Sequence, residues 1–118
     1  MTSYIKDYQG GSKIYEWDGK SLKQYSGGKR IVEWDGRYLK LSSGSKQFEF
    51  DGKYFKAYGG GNKLYEWDGR YVKNYTGGSK LLEFDGRYLK TYSGGRKTLE
   101  VEGAVPIAVL IGVGTGMI

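Results

Sequence analysis

Tyr15-Glu16-Trp17-Asp18-Gly19-Lys20-Ser21-Leu22-Lys23-Gln24-Tyr25-Ser26-Gly27-Gly28 is the stretch that decides the fold. Its core, Glu-aromatic-Asp-Gly, returns at Glu33-Trp34-Asp35-Gly36, Glu49-Phe50-Asp51-Gly52, Glu66-Trp67-Asp68-Gly69 and Glu83-Phe84-Asp85-Gly86. A decayed sixth copy is Glu100-Val101-Glu102-Gly103, and the glutamates are spaced 17, 16, 17, 17 and 17 residues apart. Tyr4-Ile5-Lys6-Asp7-Tyr8-Gln9-Gly10-Gly11 is the second half of a unit that lacks its first half. Asp-Gly between alternating segments is the strongest short-range hairpin signal, because a type I′ turn needs φ > 0 at both central residues. Placing Asp18-Gly19 at the centre predicts that Trp17 opposes Lys20, Glu16 opposes Ser21 and Tyr15 opposes Leu22.

Two loop types alternate along the chain: the Asp-Gly corner and a longer Gly-containing loop such as Ser26-Gly27-Gly28. That alternation predicts an all-β, up-and-down antiparallel meander of about twelve short strands. Side chains then alternate between two faces. One face carries Ile5, Trp17, Leu22, Val32, Trp34, Leu39, Phe50, Phe55, Trp67, Val72, Phe84, Leu89 and Val101, none of them charged. The other carries Glu, Lys and Tyr. An apolar face of this extent does not stay in water. Closure into a barrel buries it and removes the exposed strand edges.

The chain reads as one domain, with repeats over 1–103 and an uncharged tail, Ala104 to Ile118. A barrel of twelve strands has a backbone radius of roughly 11–12 Å. Inward side chains leave a lumen of about 10 Å, enough for one strand or one slim helix. The tail is expected inside as a plug. Its β-branched and glycine content favours an extended or irregular form over a helix. The competing readings are a thirteenth strand, an oligomer contact, or a segment that touches a bilayer. Its 15 residues fall short of the ~20 needed to span one.

The function classes narrow by elimination. The chain has no Cys and no His, hence no disulfide framework, no thiolate site and no imidazole base. Glu and Asp recur in every unit, so they mark repeat geometry, whereas catalysis needs one asymmetric desolvated constellation. No cofactor motif is present, and the carboxylates lack calcium-loop spacing. No apolar run opens the chain, so no secretion signal is visible and the default location is the cytoplasm. What remains is a non-enzymatic structural or binding module. Aromatic residues beside acids and bases suit a glycan, with Tyr54, Tyr58, Tyr71, Tyr75, Tyr88, Tyr92, Glu66 and Lys73 as candidate contacts. Self-association is the other partner considered. Lys20, Arg37, Lys53, Arg70 and Arg87 follow the corners and would ring one rim as anion contacts. Lys13, Arg30, Lys46, Lys63, Lys80 and Lys97 would ring the other. The inward placement of the best stacking residues argues against nucleic acid. The corner resembles the hairpins of membrane-occupation-and-recognition repeats, which also turn on an aromatic-acid-Asn/Asp-Gly sequence. The shorter period and the different second glycine pattern depart from that family.

Overall fold

The computed structural model describes residues 2–118. Twelve strands follow in chain order: β1 (Ser3–Asp7), β2 (Lys13–Trp17), β3 (Ser21–Gln24), β4 (Arg30–Trp34), β5 (Tyr38–Leu41) and β6 (Lys46–Phe50). The second half is β7 (Tyr54–Ala57), β8 (Lys63–Trp67), β9 (Tyr71–Asn74), β10 (Lys80–Phe84), β11 (Tyr88–Thr91) and β12 (Lys97–Glu102). Each strand pairs with its neighbours in sequence and β1 pairs with β12, so the meander closes into a barrel. The molecule is a flat disc of 37 × 37 × 19 Å. Asp-Gly corners line one end and Gly-rich loops the other.

The corners differ from the I′ expectation. Trp17 pairs with Leu22, Glu16 with Lys23 and Tyr15 with Gln24. The turn is therefore centred on Gly19-Lys20, one residue later than expected. Gly19 has φ +101°, and no non-glycine described residue has positive φ. Positive φ at the first central residue alone is the pattern of a II′ corner. Asp18 is freed from an αL conformation and caps the turn instead. Its Oδ1 accepts the backbone N–H of Lys20 at 2.9 Å and of Ser21 at 2.7 Å. Moving the centre by one residue shifts the cross-strand partner by two, an even number. Every side chain keeps its face, so the inside-outside assignment survives the register error.

A second device has no signature in the repeat pattern. Each Gly-loop pairing contains a β-bulge, as where Leu22 pairs with Val32 but Lys23 with Arg30, leaving Ile31 extra. The same shift occurs in all six such pairings. Bulges bend and twist a strand, so one per unit distributes the curvature that closure needs.

Inside, Ile5, Leu22, Leu39, Phe55, Val72 and Leu89 form a ring of equivalent positions, each at 0–1% exposure. Within that ring lies the tail. It is not extended: α1 (Ile107–Thr115) is a helix, with Ala108–Gly112 buried. The reason is hydrogen bonding. A closed barrel has already paired its strand groups, so an extended segment in the dry lumen would find no partners for its N–H and C=O. A helix satisfies its own backbone and overrides weak propensity. Small residues make room: a Cβ on Gly114 would collide with Leu82 and Leu89. Gly116, at φ +79°, ends the helix, and Met117 and Ile118 donate back to the Gly112 carbonyl.

The closing seam explains the two incomplete units. Val101 pairs with Ile5, Glu100 with Lys6 and Leu99 with Asp7. These pairs match Trp17–Leu22, Glu16–Lys23 and Tyr15–Gln24 position for position. The decayed sixth copy and the N-terminal half unit together make a sixth hairpin that lacks a covalent turn. Gly103 sits against Ser3 where the corner would be, and Ser3 Oγ accepts the Ala104 N–H at 2.9 Å.

Candidate functional site

The corner aspartates are held as anions. The Ser21 N–H lowers the pKa of Asp18 to about 2; partial burial opposes it, and the Lys20 N–H and the Lys23 ammonium reinforce it. Asp35, Asp68 and Asp85 repeat this pattern at about 2, with the N–H of Tyr38, Tyr71 and Tyr88 as the leading cause. At Asp51 burial is the largest single influence and pushes upward, but the Tyr54 and Lys53 N–H groups and Lys56 together bring it to about 2. A depressed folded pKa gives stability that is complete above the unfolded value near 3.8 and is lost as pH falls through about 2. The barrel is therefore expected to hold from neutral pH down to about 4 and to unfold progressively below that. Circular dichroism against pH checks this. Replacing the five corner aspartates by Asn keeps an Oδ1 acceptor for the turn and should flatten the dependence.

Among the described residues, eleven ion pairs cover the corner half of the outer wall. Within each hairpin a Lys reaches the corner acid, as Lys23–Asp18 at 3.0 Å, Lys40–Asp35 at 3.2 Å and Lys73–Asp68 at 3.1 Å. Between hairpins the post-corner base reaches the next Glu: Lys20–Glu33 at 2.9 Å, Arg37–Glu49 at 2.6 Å, Lys53–Glu66 at 3.8 Å, Arg70–Glu83 at 2.5 Å and Arg87–Glu100 at 2.8 Å. The five anion-contact residues read from the sequence thus each face a carboxylate. Glu66 and Lys73 stand opposite each other in the register of β8 and β9, while their side chains bridge to Lys53 and Asp68. Among the described residues Glu16 makes no ion pair, because Ser3 stands where other units have Lys or Arg.

This pairing divides the charge sharply. Twelve of the 13 acids lie in the corner half, all except Asp7, against eleven bases, every one ion-paired. The Gly-loop end holds the other eight bases: Lys13, Lys29, Arg30, Lys46, Lys63, Lys80, Arg96 and Lys97. Eleven bases against twelve acids give −1 at one end; eight against one give +7 at the other, for the total of +6.

The tyrosines form edge-to-face pairs on the outer wall. Tyr54–Tyr75 centroids are 5.7 Å apart, Tyr71–Tyr92 5.6 Å, Tyr38–Tyr58 5.6 Å and Tyr8–Tyr88 5.5 Å. Lys63 Nζ lies 4.2 Å from the Tyr54 centroid and Lys80 Nζ 4.3 Å from that of Tyr71. The structure thus groups all six tyrosines read as glycan contacts, but each is packed on another ring and a cation. Tyr4–Tyr25, at 5.9 Å, is a fifth pair. The sixth position has Ser21 and Ser42 instead, and Arg30 holds the place that Lys takes in the other units. Both rings are missing together, as expected if each stabilises the other. That joint loss was visible in the sequence and was the signal for the pairing.

Residues read only as core also reach the surface. Trp34, Trp67 and Phe84 are half-buried, and with Phe50 they line notches between successive Asp-Gly corners. Three such notches have volumes of about 520, 500 and 530 Å³. A cavity of about 560 Å³ at the Gly-loop end of the seam is lined by Asp7, Tyr8, Arg96 and Lys97 among others. No cluster of three acidic side chains among the described residues is placed to hold a metal ion. No helix among them is long and apolar enough to cross a membrane.

Fold and surface define a class: a plugged hairpin-repeat barrel that displays the same side chains at repeated angular positions, with one charge-balanced end and one basic end. No protein-family model matches the chain, and no curated protein or solved structure is significantly similar to it.

Proposed function

We propose that the protein is a non-enzymatic binding module that docks an anionic partner through its Gly-loop end. The observation that carries this is the charge division: the +7 balance sits at one end of the disc while the other end is balanced to within one charge. Cations without a carboxylate partner keep their full field toward an approaching polyanion. A closed barrel offers no free strand edge for an added peptide strand. The repeated carboxylates are engaged in turns and ion pairs, so the arrangement supports binding over catalysis.

Inorganic polyphosphate, a polyanion that contains no sugar, is a suitable probe. Binding should be saturable and fall steeply as salt rises. Replacing Lys29, Arg30 and Arg96 by Gln should weaken it by roughly tenfold, since three of eight cations are lost. Replacing Arg37 and Arg70 by Gln at the balanced end should leave it unchanged. Equal effects of the two variants would reject a directional basic face.

A further inference from the structure

We propose that the notches between successive Asp-Gly corners are binding sites for a neutral pyranose sugar. This site lies at the opposite end of the barrel from the basic face and stands independently of it. Each notch joins chemistry from two hairpins. One is lined by Trp34 and Arg37 from the first corner and by Phe50 and Asp51 from the next. Another is lined by Trp67 and Arg70, then Phe84 and Asp85. Trp67 also lines the intervening notch, beside Lys53 and Glu66.

The aromatic residues supply an apolar surface that water leaves cheaply and that the C–H face of a sugar ring covers. The polar groups at the lip are held in place. Arg37 Nε donates to Glu49 at 2.6 Å and Arg70 Nε to Glu83, which orients each guanidinium and leaves its Nη donors for hydroxyl oxygens. Each corner carboxylate uses three of its roughly four lone-pair sites, two on backbone N–H groups and one on a Lys. One acceptor remains for a hydroxyl proton. Side-chain atoms stay clear of the corner glycines, so the lip is open.

Charge selects the ligand class. Every Arg here is matched by a Glu and every Asp by a Lys, so an anion finds no uncompensated cation. A neutral polyol needs donors and acceptors side by side, which is what the notch supplies. Equivalent notches on adjacent corners also favour clustered sugars through effective concentration.

The test uses the full chain, with methyl glucoside, galactoside, mannoside and N-acetylglucosaminide as probes and tryptophan fluorescence as readout. At least one should give a saturable change that persists at high salt, and the same sugar on agarose should retain the protein more strongly. Trp67→Leu should weaken retention by about tenfold, because it strips two notches. If that variant fails to fold, Arg37→Gln with Arg70→Gln, both at exposed side chains, should give a similar loss in a folded barrel. Absence of any saturable signal with all four probes overturns the proposal. So does sugar binding that is unchanged in the folded variants.

Discussion

Removing residues 104–118 is expected to unfold the barrel, not merely to soften it. The tail is the centre of the core: Val109, Leu110 and Ile111 are fully buried, with Ala108 at 1%. Burying one large aliphatic side chain contributes about 1.5–3 kcal/mol, so these three account for roughly 5–9 kcal/mol. Whole domains are stable by only about 5–15 kcal/mol. Truncation also strips the inner contacts of the Ile5, Leu22, Leu39, Phe55, Val72 and Leu89 ring and leaves a void that the closed strands cannot collapse to fill. The measurement is a thermal melt of the truncated and full chains followed by circular dichroism. The expected result is no cooperative transition in the truncated protein, or one far below that of the full chain. An unchanged midpoint would mean that the helix is an ornament and that the strands hold themselves.

What was legible in the sequence follows from which quantities are robust to small errors. The faces were readable because alternation depends only on parity. Trp17 and Leu22 share the interior whether the corner centres on Asp18-Gly19 or on Gly19-Lys20, since the two choices differ by an even register step. The corner type was not readable, because Asp18 could have entered αL or capped the turn, and only the fold selects the second. The plug's presence followed from its lack of charge and alternation. Its helical form did not, because propensity is weak beside the demand of buried N–H groups for partners. The recurring bases of both rims were legible, but Lys29 and Arg96 were not, because they occupy a repeat position filled elsewhere by Ser or Asn, and spacing alone could not tell which rim is neutralised. That depends on Lys20 reaching Glu33 and its equivalents across hairpins, a contact set by strand register and shear.

Deleting residues 1–7 is expected to be nearly as damaging as losing the tail, though only one short strand goes. β1 is flanked by β2 and β12, and it supplies Ile5, which is fully buried, and the Lys6–Glu102 ion pair at 2.7 Å. Ile5 alone puts about 2–5 kcal/mol at stake by analogy with large-to-small core substitutions. The topology adds a larger consequence. Without β1, the barrel opens and both β2 and β12 present unpaired backbone groups beside exposed core, the arrangement that templates edge-to-edge association. The expected product is therefore aggregate or an oligomer in which open barrels complete each other, seen by sizing and light scattering against a monodisperse full chain. The sixth hairpin suggests a rescue. A separate peptide spanning residues 1–7 carries the whole of β1, and the seam it would restore has the same register as the covalent hairpins. Added in excess, it should return the truncated chain to a cooperative melt, with stability rising with the logarithm of peptide concentration as linkage requires. A peptide bearing Ile5→Asp should fail, because it would place a charge in the most deeply buried ring. If the shortened chain stayed monomeric and melted like the parent, the seam would be dispensable and closure would not be what holds the repeat together.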